Sequence, residues 1–183
     1  MPFDVNFNYY DTHDFHNNHD IIECLHHSES FSAIHCNVRS LSANIENLTT
    51  MLSELHFSFS VISLTEIKQK IDKEPILNLN IPGYNFVSQP SHSNAGGVGF
   101  FIKENLKYTI REDLSISEKL YEALWIEIES DQERNMLCGV IYRHPKGKLE
   151  PFFQYVNFSL QKIHREEKYC MISGDFNLDL LKF

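Results

Sequence analysis

Cysteine is scarce in this chain, and its four copies lie far apart. None of them forms a CxxC pair, so neither a zinc-binding pattern nor a disulfide framework is indicated. Basic residues are also few, because 16 Lys and Arg stand against 25 Asp and Glu and give a formal net charge of -9. This balance excludes a broad basic surface that coats a nucleic-acid backbone, so any contact with nucleic acid must be local.

Long apolar runs are missing as well. No stretch approaches the roughly 20 apolar residues of a membrane span, and the first residues, MPFDVNFNYYDTHD, lack the basic and apolar regions of a secretory signal. We therefore expect an intracellular protein, in the cytoplasm or the nucleus, that is not secreted and has no membrane partner. With 42% hydrophobic residues, the 183-residue chain can still bury a core.

The sequence changes character near residue 31. Residues 1–30 are rich in Asn, Asp and His and show no apolar periodicity, which is typical of a polar, disordered leader. From Phe31 onward, apolar and polar residues alternate in regular segments. We therefore expect one partial domain over residues 31–183.

The first segment of this domain predicts a strand-helix-strand unit. FSAIHCN and FSVISLTE read as short buried strands. The intervening LSANIENLTTMLSELHF reads as a helix, with Ser40 or Ser42 as its N-cap. Its apolar residues recur at helical spacing, at Leu41, Ile45, Leu48, Leu52 and Leu55.

The middle of the domain reads as strands and turns. A turn at Pro82-Gly83, a polar loop at 91–97 and two strand-like stretches, Gly97–Lys103 and Tyr108–Arg111, predict a β-meander. YEALWIEIES and NMLCGVIYRHP predict two further strands that pair antiparallel.

The last segment returns to a helix followed by a strand. LEPFFQYVNFSLQKIHREE is compatible with a helix, and YCMISGDFNLD begins as an apolar strand. The apolar spacing of the helix is carried by Phe152, Val156, Leu160 and Ile163. Strands that alternate with helices at both ends predict an α/β layered domain rather than a sandwich or a helical bundle.

Polar side chains stand at the ends of the predicted apolar strands. A polar residue often ends a strand only because the chain reaches solvent, so each one alone is weak evidence. Together they supply the carboxylate, amide and phenol groups that a metal-assisted phosphodiester hydrolase needs. They are Asn37, Glu66, Tyr142, Arg143, Asp175 and Asn177.

Five motifs in order carry a resemblance to a known family. HCNVRSL, SLTEIK, GGVGFF, GVIYRHP and ISGDFNLD resemble the endonuclease domain of non-LTR (LINE-like) retrotransposon polyproteins, within the endonuclease/exonuclease/phosphatase superfamily and similar to apurinic/apyrimidinic endonucleases. The resemblance covers residues 31–183. It implies the N-terminal part of a four-layer α-β-β-α sandwich, truncated at its C-terminal side, with the second sheet incomplete.

The resemblance also implies roles for residues at the strand ends. Glu66 would ligate the catalytic Mg²⁺, or Mn²⁺ in its place, with Asn37 as the neighbouring ligand. Asp175 would orient and deprotonate the attacking water, Asn177 would hold phosphate or water, and Tyr142 would act on the phosphate or on the electrostatics of the metal site. The implied reaction nicks DNA and leaves a 3′-hydroxyl that a reverse transcriptase domain of a full-length polyprotein can use as a primer.

Departures from the family pattern bear on activity. Ile67 follows the catalytic Glu where Thr is usual, and His144 takes the place of a Pro in the YRHP motif. The family's C-terminal Ser-Asp-His motif has no counterpart up to Phe183, and loss of such a group lowers the rate by on the order of 10² to 10⁴. We expect His144 to be a solvated loop residue rather than a substitute for the histidine of that motif. Because the second sheet is incomplete, we also expect the first sheet to expose an apolar inner face.

Three functions remain open on the sequence. The first is a DNA-nicking endonuclease, impaired by the missing motif, and the second is an inactive remnant of a mobile element. The third is a phospholipid or sphingomyelin phosphodiesterase or a phosphatase, because these relatives share the Asn, Glu and Asp-x-Asn elements. The YRHP and GGVGFF motifs favour the DNA-acting branch.

Overall fold

A computed structural model of the chain describes residues 31–71, 79–130 and 134–178. The leader predicted over residues 1–30 lies outside the described residues. Within these ranges the chain forms two sheets and two helices. In chain order the elements are β1 Ala33–Asn37, α1 Leu41–Glu54, β2 Val61–Thr65, β3 Tyr84–Gln89, β4 Val98–Lys103, β5 Tyr108–Ile110, β6 Ile116–Ser117, β7 Tyr121–Ile128, β8 Met136–Arg143, α2 Leu149–Glu166 and β9 Tyr169–Asp175.

The two sheets have simple strand orders. The first sheet runs β1-β2-β4-β3, and the second runs β5-β7-β8-β9 with β6 paired to β7. β1 and β2 are parallel and β1 pairs along its whole length with β2, which confirms the predicted strand-helix-strand unit. β7 and β8 pair antiparallel over eight residues, as the sequence predicted, and β8 and β9 pair parallel.

The elements stack in four layers, as predicted. α1 buries Leu41 and Leu48 against the outer face of the first sheet, where Leu64 and Phe101 are fully buried. α2 buries its apolar side against the outer face of the second sheet around Trp125. The described part of the chain is therefore helix, sheet, sheet and helix, an α/β arrangement in which each apolar face is covered by a neighbour.

The predicted β-meander is wrong in its pairing. β4 pairs with β2 and β3 in the first sheet, whereas β5 pairs with β7 in the second sheet. The chain therefore passes from one sheet to the other in residues 104–107. A local alternation of apolar and polar residues predicts a strand but does not identify its partner, because pairing depends on residues distant in sequence.

The inner face of the first sheet is buried, contrary to the sequence expectation. Val61, Phe100 and Ile102 on the first sheet are fully buried and pack in one cluster with Leu124 and Ile126 of the second sheet. The long strands β7 and β8 cover this face. The central layer also contains a polar bridge, since the hydroxyl of Ser173 lies 2.8 Å from that of Ser63 in the opposite sheet.

The buried stripe of α2 differs from the predicted one at two positions, since Tyr155 is buried in place of Val156 and Ser159 in place of Leu160. Leu160 is 44% exposed, whereas Ser159 is 1% exposed and faces the sheet. The buried residues of this helix are Phe152, Tyr155, Ser159 and Ile163. Both series have the spacing of a helical repeat, so the apolar pattern alone does not choose between them. Neither helix in the described ranges combines the length and the apolar character needed to cross a membrane.

Candidate active site

The ends of four strands meet at one edge of the layered sheets. β1 and β2 are parallel, and so are β8 and β9, and the two pairs pack against each other across the central layer. The polar residues that follow these strands are therefore brought together. The Asn37 side-chain N–H₂ donates to Glu66 Oε1 at 2.9 Å and to Asp175 Oδ2 at 3.1 Å.

Glu66 is held by the loop on which it lies rather than by the strand. Its backbone has a positive φ of 55°, a conformation that few non-glycine residues adopt. The Ser40 N–H donates to the Glu66 carbonyl at 2.8 Å, and the Leu41 N–H donates to the Ile67 carbonyl at 3.1 Å. Ser40 occupies the predicted N-cap position, but its side chain makes no capping hydrogen bond. The first residues of α1 thus hold the Glu66 loop through the backbone.

A tight loop after β9 fixes the orientation of Asp175. The Asn177 backbone N–H donates to Asp175 Oδ1 at 3.1 Å, and Asn177 itself has a φ of 49°. Its side-chain N–H₂ donates to the Arg143 carbonyl at 2.7 Å. One oxygen of the Asp175 carboxylate is therefore held by its own loop and the other by Asn37.

Arg143 organises this region, although the sequence assigned it no role. Its side chain is 3% exposed. It donates to the carbonyls of Phe176 at 2.7 Å, Gly147 at 2.8 Å and His144 at 3.1 Å, and also to the carbonyl of Asn177. A charged residue directly after an apolar strand was the available signal, but four backbone acceptors cannot be inferred from a motif.

Tyr142 lies beside the site as a buried phenol. It is 2% exposed. Burial, together with the negative charges of Glu66, Asp175 and Glu122, raises the pKa of Tyr142 to about 12. The phenol therefore keeps its proton at neutral pH and is available as a hydrogen-bond donor.

His144 is not the solvated loop residue that the sequence predicted. Its side chain is 15% exposed, and its Nε2 lies 3.2 Å from the Ser93 hydroxyl. Its ring packs against the Tyr142 ring in a T-shaped arrangement at a centroid distance of 5.0 Å. Burial lowers the pKa of His144, and the negative charge of Glu66 acts in the opposite direction. The substitution of His for Pro in the YRHP motif thus places an imidazole against the Tyr142 side of the site.

An open pocket of about 330 Å³ adjoins the convergent residues. His35, whose Nε2 lies 3.2 Å from the Thr65 hydroxyl, forms part of its wall. Burial lowers the pKa of His35, and the charge of Asp175 opposes this effect. The lining residues are His35, Asn37, Gly174, Asp175, Phe176, Asn177 and Leu178.

The donor set suits a hard cation that keeps part of its own hydration. Glu66 and Asp175 present carboxylate oxygens to one amide, so the two carboxylates share a small volume. Among the residues that the structure describes, no group of three or more His, Cys, Asp or Glu side chains can enclose a metal ion. Mg²⁺ is commonly bound by one or two carboxylates together with waters and substrate phosphate, so the residues present fit this ion.

Asn37 requires a rotation to act as an oxygen ligand. Its Oδ1 accepts the Arg39 backbone N–H at 3.3 Å, while its nitrogen faces the two carboxylates. The two orientations of an amide have nearly the same shape. A cation between Glu66 and Asp175 would favour the orientation in which the Asn37 oxygen points toward it.

Several solved structures share this fold. The endonuclease domain of TRAS1, a telomere-specific non-LTR retrotransposon, is 10% identical with a TM-score of 0.60, over 82% of this chain and 62% of that chain. The AP endonuclease LMAP from Leishmania major is 15% identical with a TM-score of 0.55, over 79% of this chain and 54% of that chain. D. rerio TDP2, complexed with a single-strand DNA product, is 15% identical with a TM-score of 0.55, over 83% of this chain and 62% of that chain.

At these identities the likeness shows the fold alone. The chain spans about 62% of the length of the TRAS1 domain. A comparison with curated protein sequences finds no match.

The sequence also matches a family model over most of its length. The model of the Endonuclease/Exonuclease/phosphatase family covers residues 34–181. That range contains both helices and all the strand-end residues described above. The chain therefore belongs to the Endonuclease/Exonuclease/phosphatase family.

Proposed function

We propose that the chain is the endonuclease of a non-LTR retrotransposon, which nicks DNA by metal-assisted hydrolysis of a phosphodiester bond. The observation that carries this proposal is the Asn37 amide, which joins the Glu66 and Asp175 carboxylates where four strands end. Two converging carboxylates beside a protonated phenol suit hydrolysis of a phosphate ester.

Glu66 and Asn37 would hold Mg²⁺, with Mn²⁺ as a substitute. When bound, this ion supplies positive charge that offsets the charge developing on the phosphate oxygens. The backbone bonds from Ser40 and Leu41 keep the Glu66 loop in place. The carboxylate therefore needs little reorganisation to act as a ligand.

Asp175 is the residue that orients the attacking water and accepts its proton. Its Oδ1 is held by the Asn177 N–H, so the carboxylate cannot rotate freely. Asn177 holds water or phosphate at the same loop. Tyr142 keeps its proton because its pKa is raised to about 12, and its O–H donates to the phosphate as negative charge builds up.

DNA is the proposed substrate because two exposed basic residues lie close in the chain to the residues of the site. Arg39 and Lys68 are exposed and lie two residues from Asn37 and Glu66 respectively. Basic side chains at such positions bind phosphates on either side of the scissile bond. This is the local contact that the net charge of -9 allows. A reverse transcriptase domain of the same polyprotein is the proposed partner, because it would extend the 3′-hydroxyl left by the nick.

The 183 residues contain no Ser-Asp-His segment, and we infer that this chain alone turns over slowly. Loss of a phosphate-binding or acid-base group lowers a rate by on the order of 10² to 10⁴. The nicking activity should therefore be detected at high enzyme concentration and long incubation.

A plasmid-nicking assay tests the proposal. With Mg²⁺, the chain should convert supercoiled plasmid to the open circle, and Glu66→Gln or Asp175→Asn should lower the rate by about 100-fold or more. Glu46→Gln, an exposed position on α1, is the matched control and should nick at the original rate. Equal nicking by Glu66→Gln would contradict the proposal.

The same preparation distinguishes the alternative functions. Hydrolysis of sphingomyelin or phospholipid vesicles without plasmid nicking would assign the chain to the lipid-acting branch. No nicking at any enzyme concentration, together with no binding of Mn²⁺, would assign it to an inactive remnant.

A further inference from the structure

A buried glutamate lies next to the site and takes no part in the proposed chemistry. Glu122 is the second residue of β7 and is the cross-strand partner of Tyr142. Its side chain is fully buried. A carboxyl group removed from water is costly unless protein groups replace its hydration, so its surroundings should show what it does.

The Glu122 carboxyl accepts hydrogen bonds from a single loop. The hydroxyl of Ser91, itself 1% exposed, donates to Oε1. The Gly97 backbone N–H donates to the same carboxyl and, together with Ser91, counteracts the rise in the pKa of Glu122 caused by burial. His144 Nε2 lies 3.5 Å from Oε1. Oε2 is buried and has no hydrogen-bond partner among the described residues.

Two glycines fit this loop closely against the carboxyl. Gly96 has a φ of 101°, and a Cβ atom there would lie 2.9 Å from Glu122 Oε2 and 3.1 Å from a ring carbon of Tyr142. Gly97 has a φ of 79°, and its Cβ would lie 2.8 Å from the Ile67 side chain. The loop is therefore packed between Glu122 and Tyr142 on one side and Ile67 on the other, and only glycine fits without strain.

The opposite side of this loop holds the segment that follows Glu66. The Ile67 N–H donates to the Gly97 carbonyl at 3.2 Å, and the Lys68 N–H donates to the Gly96 carbonyl at 2.9 Å. These bonds fix the backbone immediately after Glu66, which has a positive φ. A continuous chain of contacts thus runs from the buried carboxyl to the metal-side carboxylate.

We propose that Glu122 is a positioning residue, whose buried carboxyl anchors the loop at 91–97 and through it fixes the backbone that presents Glu66. The effect on metal binding rests on the proposed function, whereas the effect on the backbone does not. Residues that support metal ligands in this way typically change metal affinity by about 10- to 100-fold when they are replaced.

Two variants weaken the anchor to different degrees, and a third is a matched control. Glu122→Met removes both acceptor oxygens at similar side-chain volume. Ser91→Ala removes one donor and leaves the carboxyl in place. Glu127→Gln changes the other buried glutamate of β7, which is paired with Arg111 and Lys168.

Amide hydrogen exchange on the metal-free chain gives the first measurement. Glu122→Met should speed exchange at the Ile67 and Lys68 amides by about tenfold or more, because their acceptor carbonyls become mobile. Ser91→Ala should have a smaller effect in the same direction. Glu127→Gln should leave these two amides unchanged even if the whole domain becomes less stable.

The affinity for Mn²⁺, followed by electron paramagnetic resonance, gives the second measurement. Glu122→Met should bind Mn²⁺ about tenfold more weakly or worse, Ser91→Ala should be intermediate, and Glu127→Gln should match the original chain. If Glu122→Met does not fold, Ser91→Ala decides the matter by the same two measurements.

The two measurements separate the possible failures. Unchanged exchange at Ile67 and Lys68 overturns the proposal, and so does faster exchange with unchanged Mn²⁺ affinity, because Glu122 would then be a structural residue only. If the original chain binds no Mn²⁺, the proposed function fails, and the exchange measurement alone decides whether Glu122 anchors the loop.

Discussion

The loop that carries Asp175 and Asn177 should depend strongly on Arg143, the last residue of β8. Its guanidinium donates to four backbone carbonyls, three of them at 2.7 to 3.1 Å. In Arg143→Lys a single nitrogen can reach at most two of these acceptors. Each buried carbonyl that loses its donor costs about 1 to 3 kcal/mol, so we expect a loss of about 3 kcal/mol in the free energy of unfolding.

Urea unfolding measures this loss through the midpoint, provided that the slope of the transition does not change. Arg165→Lys is the control, since Arg165 is exposed on α2, and it should leave the stability within about 0.5 kcal/mol. The Asp175 loop should also become mobile, so hydrogen exchange at the Asn177 amide should accelerate in Arg143→Lys alone. A change of less than about 0.5 kcal/mol in Arg143→Lys would refute the reasoning, because the four bonds would then contribute little.

Three further positions give separate predictions. Burial raises the pKa of Glu122 from 4.5 to about 7, so between these pH values the folded chain binds more protons than the unfolded chain. The free energy of unfolding should therefore fall by on the order of 3 kcal/mol as pH rises from about 4.5 through 7, and then level off. Urea unfolding between pH 4.5 and 8 should show this fall, and Glu122→Gln should lack it. Tyr155→Phe orphans the buried Trp125 indole N–H, which now donates to the phenol at 2.8 Å, and should lower the free energy of unfolding by about 1 to 3 kcal/mol, seen as a lower melting temperature. Gly97→Ala puts a methyl group 2.8 Å from Ile67 at a positive φ, so its free energy of unfolding, obtained from the urea midpoint, should fall by about 1 to 3 kcal/mol.

The elements and layers of the fold were largely predictable. α1 and β2 followed from a helical repeat and an apolar run, because those patterns are local and match the faces that the elements bury. The pairing of β5 was not predictable in this way, since its partner β7 is chosen by contacts across the domain. Leu160 was misplaced because neighbouring positions at the edge of a helical stripe differ little in pattern.

The expectation that functional residues stand at the ends of apolar strands located the polar residues of the site, but not the residues that hold them in position. Asn37, Glu66 and Asp175 were predictable because they stand at the ends of apolar strands, and the structure brings the Asn37 amide within hydrogen-bond distance of both carboxylates. Their catalytic and metal-binding roles remain predictions. Arg143 acts through hydrogen bonds to backbone carbonyls, which every residue carries, so no sequence motif indicates this role.

Glu122 did leave a signal in the sequence. In YEALWIEI the alternation places Glu122 on the same face as Leu124, Ile126 and Ile128, all of which pack between the sheets. A charged residue in phase with a buried face is a candidate for a structural or functional role. The alternation predicts the strand, and Glu122 is the residue at which the buried face becomes polar.

The location of bound Mn²⁺ tests the central claim most directly, namely that Glu66 and Asn37 hold a metal ion beside Asp175. Crystals of the chain soaked in Mn²⁺ should show an anomalous peak that is coordinated by Glu66 and Asn37 and lies next to Asp175, and the peak should vanish in Glu66→Gln. A peak at another position in a chain that nicks DNA, or an undiminished peak in Glu66→Gln, would contradict the account.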